Sequence, residues 1–167
     1  MRNDDLIIND SVYGFVTVPH GLLRDIVEHP YFQRLSRIRQ LGLASFVYPG
    51  ATHTRKEHSL GTFHLTQKAI KALQNKGYFI FEQEEEGLLA AALLHDIGHG
   101  PMSHQLEGKW LDGVNHEAFT LQLMHKMNEE WGGALDGAIE IYGGKATRPF
   151  LHELICSQLD MDRLDYL

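Results

Sequence analysis

The residues best equipped for chemistry are crowded into one short stretch, His95-Asp96-Ile97-Gly98-His99-Gly100-Pro101-Met102-Ser103-His104. The apolar run Leu88 to Leu94 delivers an imidazole and a carboxylate side by side at its end, where two glycines and a proline turn the backbone away. Burying such an ionisable pair is costly unless it is compensated, and a divalent cation is one of the few compensations strong enough. A lone His-Asp pair at a helix end can also do no more than bond nearby carbonyls, so the other polar groups matter. His58 stands at the beginning of a helical segment. Asp162 lies in Leu159-Asp160-Met161-Asp162-Arg163-Leu164-Asp165-Tyr166, where acids are interleaved with apolar residues. Two imidazoles and two carboxylates from three separated segments make a mixed nitrogen and oxygen donor set with positions left for water and substrate. That set suits manganese, iron, magnesium, cobalt, nickel or zinc without selecting among them. Such a cation lowers the pKa of a bound water and polarises a phosphoryl oxygen, the two functions phosphoester hydrolysis asks of it.

The elements that must position these groups are mostly helical. Leu6-Ile7-Ile8-Asn9-Asp10 and Val12 to Val18 are rich in β-branched residues with turn residues between them, which predicts a small N-terminal hairpin. After Pro19, helical spacing sets in with Leu22, Leu23, Ile26 and Val27 on one face. A second helix is expected to carry Phe32, Leu35, Ile38 and Leu41, with Pro30 between the two, Gly42 at its end and a loop at Tyr48-Pro49-Gly50. From His58 to Lys76, Leu60, Phe63, Ile70 and Leu73 recur at helical spacing, and Gly77 is the stop. Glu84 to Glu86 supply negative charge ahead of Gly87 to His95, which is apolar on all sides and is therefore read as a central, buried helix. Asn115 is a good N-cap for a helix from His116 to about Glu129. Pro149 suits the first turn of another, carrying Leu151, Leu154 and Ile155. The fold class is all-α, a helical array with a small N-terminal β-hairpin.

Composition narrows the function classes. A chain of 167 residues, 43% hydrophobic and 22% charged, has the size and balance of one globular folding unit. Its longest apolar run is too short to cross a bilayer, so no membrane partner is expected. Acids at Asp4 and Asp5 stand where a secretory signal has a basic segment, and a cytoplasmic location is expected. Cys156 is the only cysteine, which excludes an intrachain disulfide and a Cys-rich zinc site, leaving His and carboxylate as ligands. A net charge of −7 argues against an extended nucleic-acid surface while leaving room for a basic pocket around one small anion. Seven of the 11 histidines fall between His53 and His116. His20, His29, His64, His125 and His152 have no motif around them and are read as surface or satisfied core residues. Cys156, Trp110, Trp131, Met124 and Met127 are read as packing groups.

Phe32 to Leu43 (FQRLSRIRQLGL), Tyr48 to Gly61 (YPGATHTRKEHSLG), Ala92 to His104 (ALLHDIGHGPMSH) and Leu159 to Leu167 (LDMDRLDYL) together resemble the HD-domain deoxynucleoside triphosphate triphosphohydrolases. The match runs from about Asp10 to the last residue. The resemblance implies that His58, His95, Asp96 and Asp162 bind one divalent metal ion. It implies that Gln40 and Arg55 contact the nucleotide, that Arg163 and Tyr166 lie at phosphate and sugar, and that His99, His104 and His116 stand beside the phosphates. His116 matches the general acid for the leaving sugar oxygen, a step suited to imidazole. Its partner in the family is an aspartate, whereas Glu107 stands here with a longer side chain. The implied reaction is attack at the α-phosphorus of a deoxynucleoside triphosphate, giving deoxynucleoside and tripolyphosphate. A nucleotide phosphatase of another substrate class and a non-catalytic nucleotide-sensing module are the alternatives.

A homo-oligomer is expected by the same resemblance. In the mammalian member an acid and an arginine help to hold an activating guanine nucleotide, but the matching positions here are Glu28 and Ser36, so that activation does not carry over. The family continues beyond the last ligand motif, and residues 1–167 are expected to be an HD phosphohydrolase domain at the N-terminal part of a longer protein.

Overall fold

A computed structural model describes residues 4–102 and 115–166. His104, Glu107 and Trp110 lie outside these described residues. The hairpin pairs β1 (Leu6–Asp10) with β2 (Gly14–Val18) antiparallel, Leu6 opposite Val18 and Asp10 opposite Gly14. Its turn is closed by Asp10, whose carboxylate accepts from the backbone N–H groups of Val12 and Tyr13. Val16 and Val18 face the core, as alternation in a half-buried strand requires.

Helices build the rest: α1 (Leu22–Glu28), α2 (Pro30–Gln33), α3 (Arg55–Asn75), α4 (Glu82–Leu94), α5 (His116–Glu130), α6 (Asp136–Tyr142), α7 (Pro149–Glu153) and α8 (Met161–Tyr166). The central helix is α4, in which every residue from Gly87 to Leu94 is buried, as its uniformly apolar run predicts. It packs against α3, α6 and α1, and α8 lies on α3. Gly87 lets α4 approach α6, where a Cβ would press on the Gly137 backbone. Among the described residues, no helix is long and apolar enough to cross a membrane.

The expected second helix is interrupted. α2 is one turn long, Arg34–Arg37 continue as a 3-10 helix, and the chain is extended at Ile38. The cause is competition for backbone partners. Gln40 N–H bonds to the His53 carbonyl, Arg55 N–H bonds to the Ile38 carbonyl, and Arg39 bridges Thr54. These cross-links replace helical bonds and hold Gln40 beside the start of α3.

Three other boundaries differ from expectation. α3 begins at Arg55, because Thr54 and Glu57 form a capping box, so His58 lies one turn inside it. α7 ends at Glu153, leaving Leu154 and Ile155 beyond the helix. α6 was not anticipated; its seven residues are too few for a clear periodic signal. Asn115 caps α5 as expected, its side chain accepting from Ala118 N–H.

Candidate functional site

The site forms where the end of α4, the first turns of α3 and α8 meet. His95 is held by Nδ1, which donates to the Ala92 carbonyl at 2.8 Å. A carbonyl only accepts, so Nδ1 carries the proton and Nε2 points into the site. His58 is held in the same way, its Nδ1 lying 2.6 Å from Asp165 Oδ2. The two Nε2 atoms are 3.3 Å apart. Asp162 Oδ1 from α8 completes the cluster, 2.8 Å from His58 Nε2 and 3.8 Å from His95 Nε2. One donor atom from each of His58, His95 and Asp162 lies within 4.8 Å of the others.

These atoms fit a divalent cation. Two imidazole nitrogens and a carboxylate oxygen converge on one point, the donor chemistry such ions take. Protonated His58 supplies the compensating charge in this arrangement. Burial opposes its imidazolium form, but the bonds to Asp162 and Asp165 and the charge of Asp96 outweigh burial and raise its pKa to about 10. A divalent ion held by these residues would supply that charge in place of the proton.

Asp96 borders the cluster, Oδ1 3.6 Å from His95 Nε2 and Oδ2 3.9 Å from His58 Nε2. Its Oδ2 accepts from Arg55 Nη1 at 2.6 Å, and its Oδ1 is 3.3 Å from His99 Nε2. Burial works to raise this carboxyl, yet His95, His99 and Arg55 together hold it well below the ordinary carboxylate range. Asp162 is likewise lowered, burial being outweighed by His58 and His95. Burial lowers the pKa of His99 despite the neighbouring Asp96. The His99 and His116 rings stack, centroids 4.0 Å apart.

A cavity of about 710 Å³ opens on this cluster. Gln40, Arg55, Asp96, His99, His116, Asp162, Arg163 and Tyr166 all line it, so residues scattered through the sequence meet at one place. Arg39, Arg55 and Arg163 make its wall cationic on a protein whose net charge is −7. Arg55 Nε and Gln40 Oε1 are buried and have no hydrogen-bond partner among the described residues, as groups awaiting a ligand would be.

Several positioning groups escaped the sequence reading. Arg34 donates to the carbonyls of Ile97 at 2.5 Å and His99 at 2.9 Å, clamping the turn after the His-Asp pair. Thr120 Oγ1 accepts from Gly98 N–H and donates to the His95 carbonyl, tying that turn to α5. Asp165 and Tyr13 were missed as well. Asp165 follows Asp162 by three residues, which on a helix places both on one face, and that spacing was a usable signal.

The HD domain family model matches residues 55–167. Among curated relatives, a deoxynucleoside triphosphate triphosphohydrolase SAMHD1 homolog of Dictyostelium discoideum is 32% identical over 99% of this chain and 36% of its own length. Human deoxynucleoside triphosphate triphosphohydrolase SAMHD1 is 30% identical over 96% of this chain and 32% of its own. Among solved structures, a phosphohydrolase from Bacteroides thetaiotaomicron is 57% identical with a TM-score of 0.96, covering 98% of this chain and 41% of that one. The chain thus spans well under half the length of these proteins.

Proposed function

The chain belongs to the HD domain family, and from that premise we propose that it is a metal-dependent phosphohydrolase acting on deoxynucleoside triphosphates, releasing deoxynucleoside and tripolyphosphate. The observation that carries the reading is the convergence of His58 Nε2, His95 Nε2 and Asp162 Oδ1 beside a cavity walled by three arginines. The names of the curated relatives support the choice of substrate.

His58, His95, Asp96 and Asp162 would hold one divalent ion, which when bound supplies Lewis acidity toward a phosphoryl oxygen and a more acidic water. Arg55 and Arg163 bind the negative phosphate oxygens, and cationic groups already in place cost little reorganisation when charge develops. Gln40 and Tyr166 hold the nucleoside end. In the reaction a water oxygen bonds to the α-phosphorus as the bond from phosphorus to the sugar 5′ oxygen breaks, and the water gives up a proton to solvent, balancing the one that the leaving oxygen takes up. His116 gives that leaving oxygen a proton from its ring. Its stacking on His99 limits the directions from which it can do so. His104 and Glu107 are assigned beside the phosphates and to His116 by family resemblance alone. The same reading carries a homo-oligomer in the cytoplasm, to be checked by light scattering and fractionation.

The test is a turnover screen of ribo- and deoxynucleotides with each divalent metal and a metal-free control, measuring orthophosphate and tripolyphosphate separately. Metal-dependent tripolyphosphate release from deoxynucleotides is the expected result. Orthophosphate release alone points instead to a phosphatase of another class, and binding without turnover to a sensing module.

A further inference from the structure

The N-terminal hairpin reaches the metal cluster through two side chains that have no assigned role. Tyr13, just before β2, donates from its hydroxyl to Asp165 Oδ1 at 2.8 Å, and the other oxygen of the same carboxylate faces His58 Nδ1 at 2.6 Å. An ionised carboxylate only accepts, so Asp165 takes one hydrogen bond from the phenol and one from the imidazole. It is mostly buried, with 11% of its side chain exposed, and it does not face the nucleotide cavity.

The surroundings are shaped to keep this chain of contacts in place. Gly61 lies three residues after His58 on α3, and a Cβ there would overlap both the Asp165 carboxylate and the Tyr13 ring. Helix α8 and the hairpin can therefore press on α3 only because that position is glycine. Tyr13 is steadied on the same face of α3, its ring 5.0 Å from the His64 ring with Lys68 Nζ 6.0 Å from its centroid. Gly61, His64 and Lys68 follow at helical spacing, so one stripe of α3 receives the tyrosine.

We infer that Asp165 is a positioning residue for the metal centre, orienting His58 so that Nε2 faces the cation, and that Tyr13 and Gly61 hold Asp165 in turn. A carboxylate on the remote nitrogen of a ligating histidine fixes the tautomer and ring orientation and makes the imidazole a better donor. The hairpin then belongs to the catalytic apparatus although it touches no substrate. Loss of its contact should reach the metal through Tyr13, Asp165 and His58 in that order. The inference rests on the metal-centre reading given above.

The test titrates the metal-free full chain with Co²⁺, reading affinity by equilibrium dialysis and ligand geometry by visible absorption. Asp165→Asn keeps the shape of the side chain and removes its charge. Its affinity is expected to fall on the order of 10–100-fold with an altered cobalt spectrum. With metal saturating, kcat should fall and the substrate KM should change little. A purely packing role survives in the amide, so unchanged affinity and an unchanged spectrum in folded Asp165→Asn would overturn the inference. Should that variant fail to fold, Tyr13→Phe decides through the same titration. A severalfold weaker affinity supports the inference and an unaltered one overturns it. If the unsubstituted chain binds no Co²⁺, the metal-centre reading fails, and the positioning role falls with it.

Discussion

Arg55 donates from Nη1 to Asp96 Oδ2 at 2.6 Å, with less than a tenth of either side chain exposed. This cavity-lining arginine and the carboxylate beside the candidate metal cluster are therefore one electrostatic unit, and neither can be removed without affecting the other. Arg55→Ala should destabilise the metal-free protein by about 3–5 kcal/mol, the usual consequence of leaving one partner of a buried pair unmatched. Added Mn²⁺ should restore part of the loss, since it supplies positive charge near the same carboxylate. Thermal melts of Arg55→Ala with and without Mn²⁺ check this, and an unshifted melt in the absence of metal would refute it.

The depressed pKa of Asp96 sets an acid limit on stability. A carboxyl lowered in the folded state contributes stability above its unfolded pKa, roughly 3.9. That contribution is lost as pH falls below this value toward the lowered folded pKa. Asp162 acts with the same sign. Acid unfolding of the metal-free protein should therefore be shallower in Asp96→Asn than in the unsubstituted chain. Equal slopes of stability against pH between about 2 and 4 would count against the pairing.

Asp162 provides the sharpest test of the cluster, because its oxygen lies 2.8 Å from His58 Nε2 while its helix is the last one described. Asp162→Ala should lose bound metal and turnover together. Full metal occupancy in that variant, measured by elemental analysis after dialysis, would remove Asp162 from the ligand set.

The general-acid assignment separates from the metal. His116→Ala should keep its metal and lose on the order of 10²–10⁴ in kcat, the scale of general acid catalysis. Glu107→Asp should retain activity if the acid at that position orients His116, since it restores the residue found in the family. Steady-state rates of the two variants, with metal content measured in parallel, decide both points.

The place of His95-Asp96 at the end of a buried helix was legible in the sequence because the pair closes an apolar run, and the structure buries Gly87 to Leu94 as that pattern requires. The hairpin was legible for a similar reason, since β-branched residues flank the turn at Asp10-Ser11. What could not be read was decided by contacts between distant segments. The chain leaves helical geometry at Ile38 because backbone groups of residues 53 and 55 compete for its hydrogen bonds, and no local propensity reports that. The spacing of Asp165 from Asp162 places it on the same helix face, but its pairing with His58, 107 residues away, depends on α8 lying on α3. Gly98 was read as a helix breaker, whereas its tightest constraint is the helix packed against it.

That constraint gives the final prediction. Gly98 follows the His-Asp pair by two residues, and a Cβ at this position would collide with the His116 carbonyl and with the backbone and hydroxyl of Thr120. Both obstacles belong to the first turns of α5, so neither can swing aside as the end of a flexible side chain would. Gly98→Ala must push α5 away from the turn. It thereby stretches the bonds in which Thr120 Oγ1 accepts from Gly98 N–H at 3.0 Å and donates to the His95 carbonyl at 3.2 Å. Overpacking of this kind costs about 1–3 kcal/mol. Activity should suffer beyond that, because the same displacement carries His116 away from His99 and from the cavity. A misplacement of about 1 Å can cost on the order of 10²-fold in rate. Gly98→Ala is thus expected to fold with a lowered melting temperature, to bind metal near the normal affinity, and to lose most of its kcat. Normal kcat in a folded Gly98→Ala protein would show that the close approach of α5 to this turn is not needed to place His116.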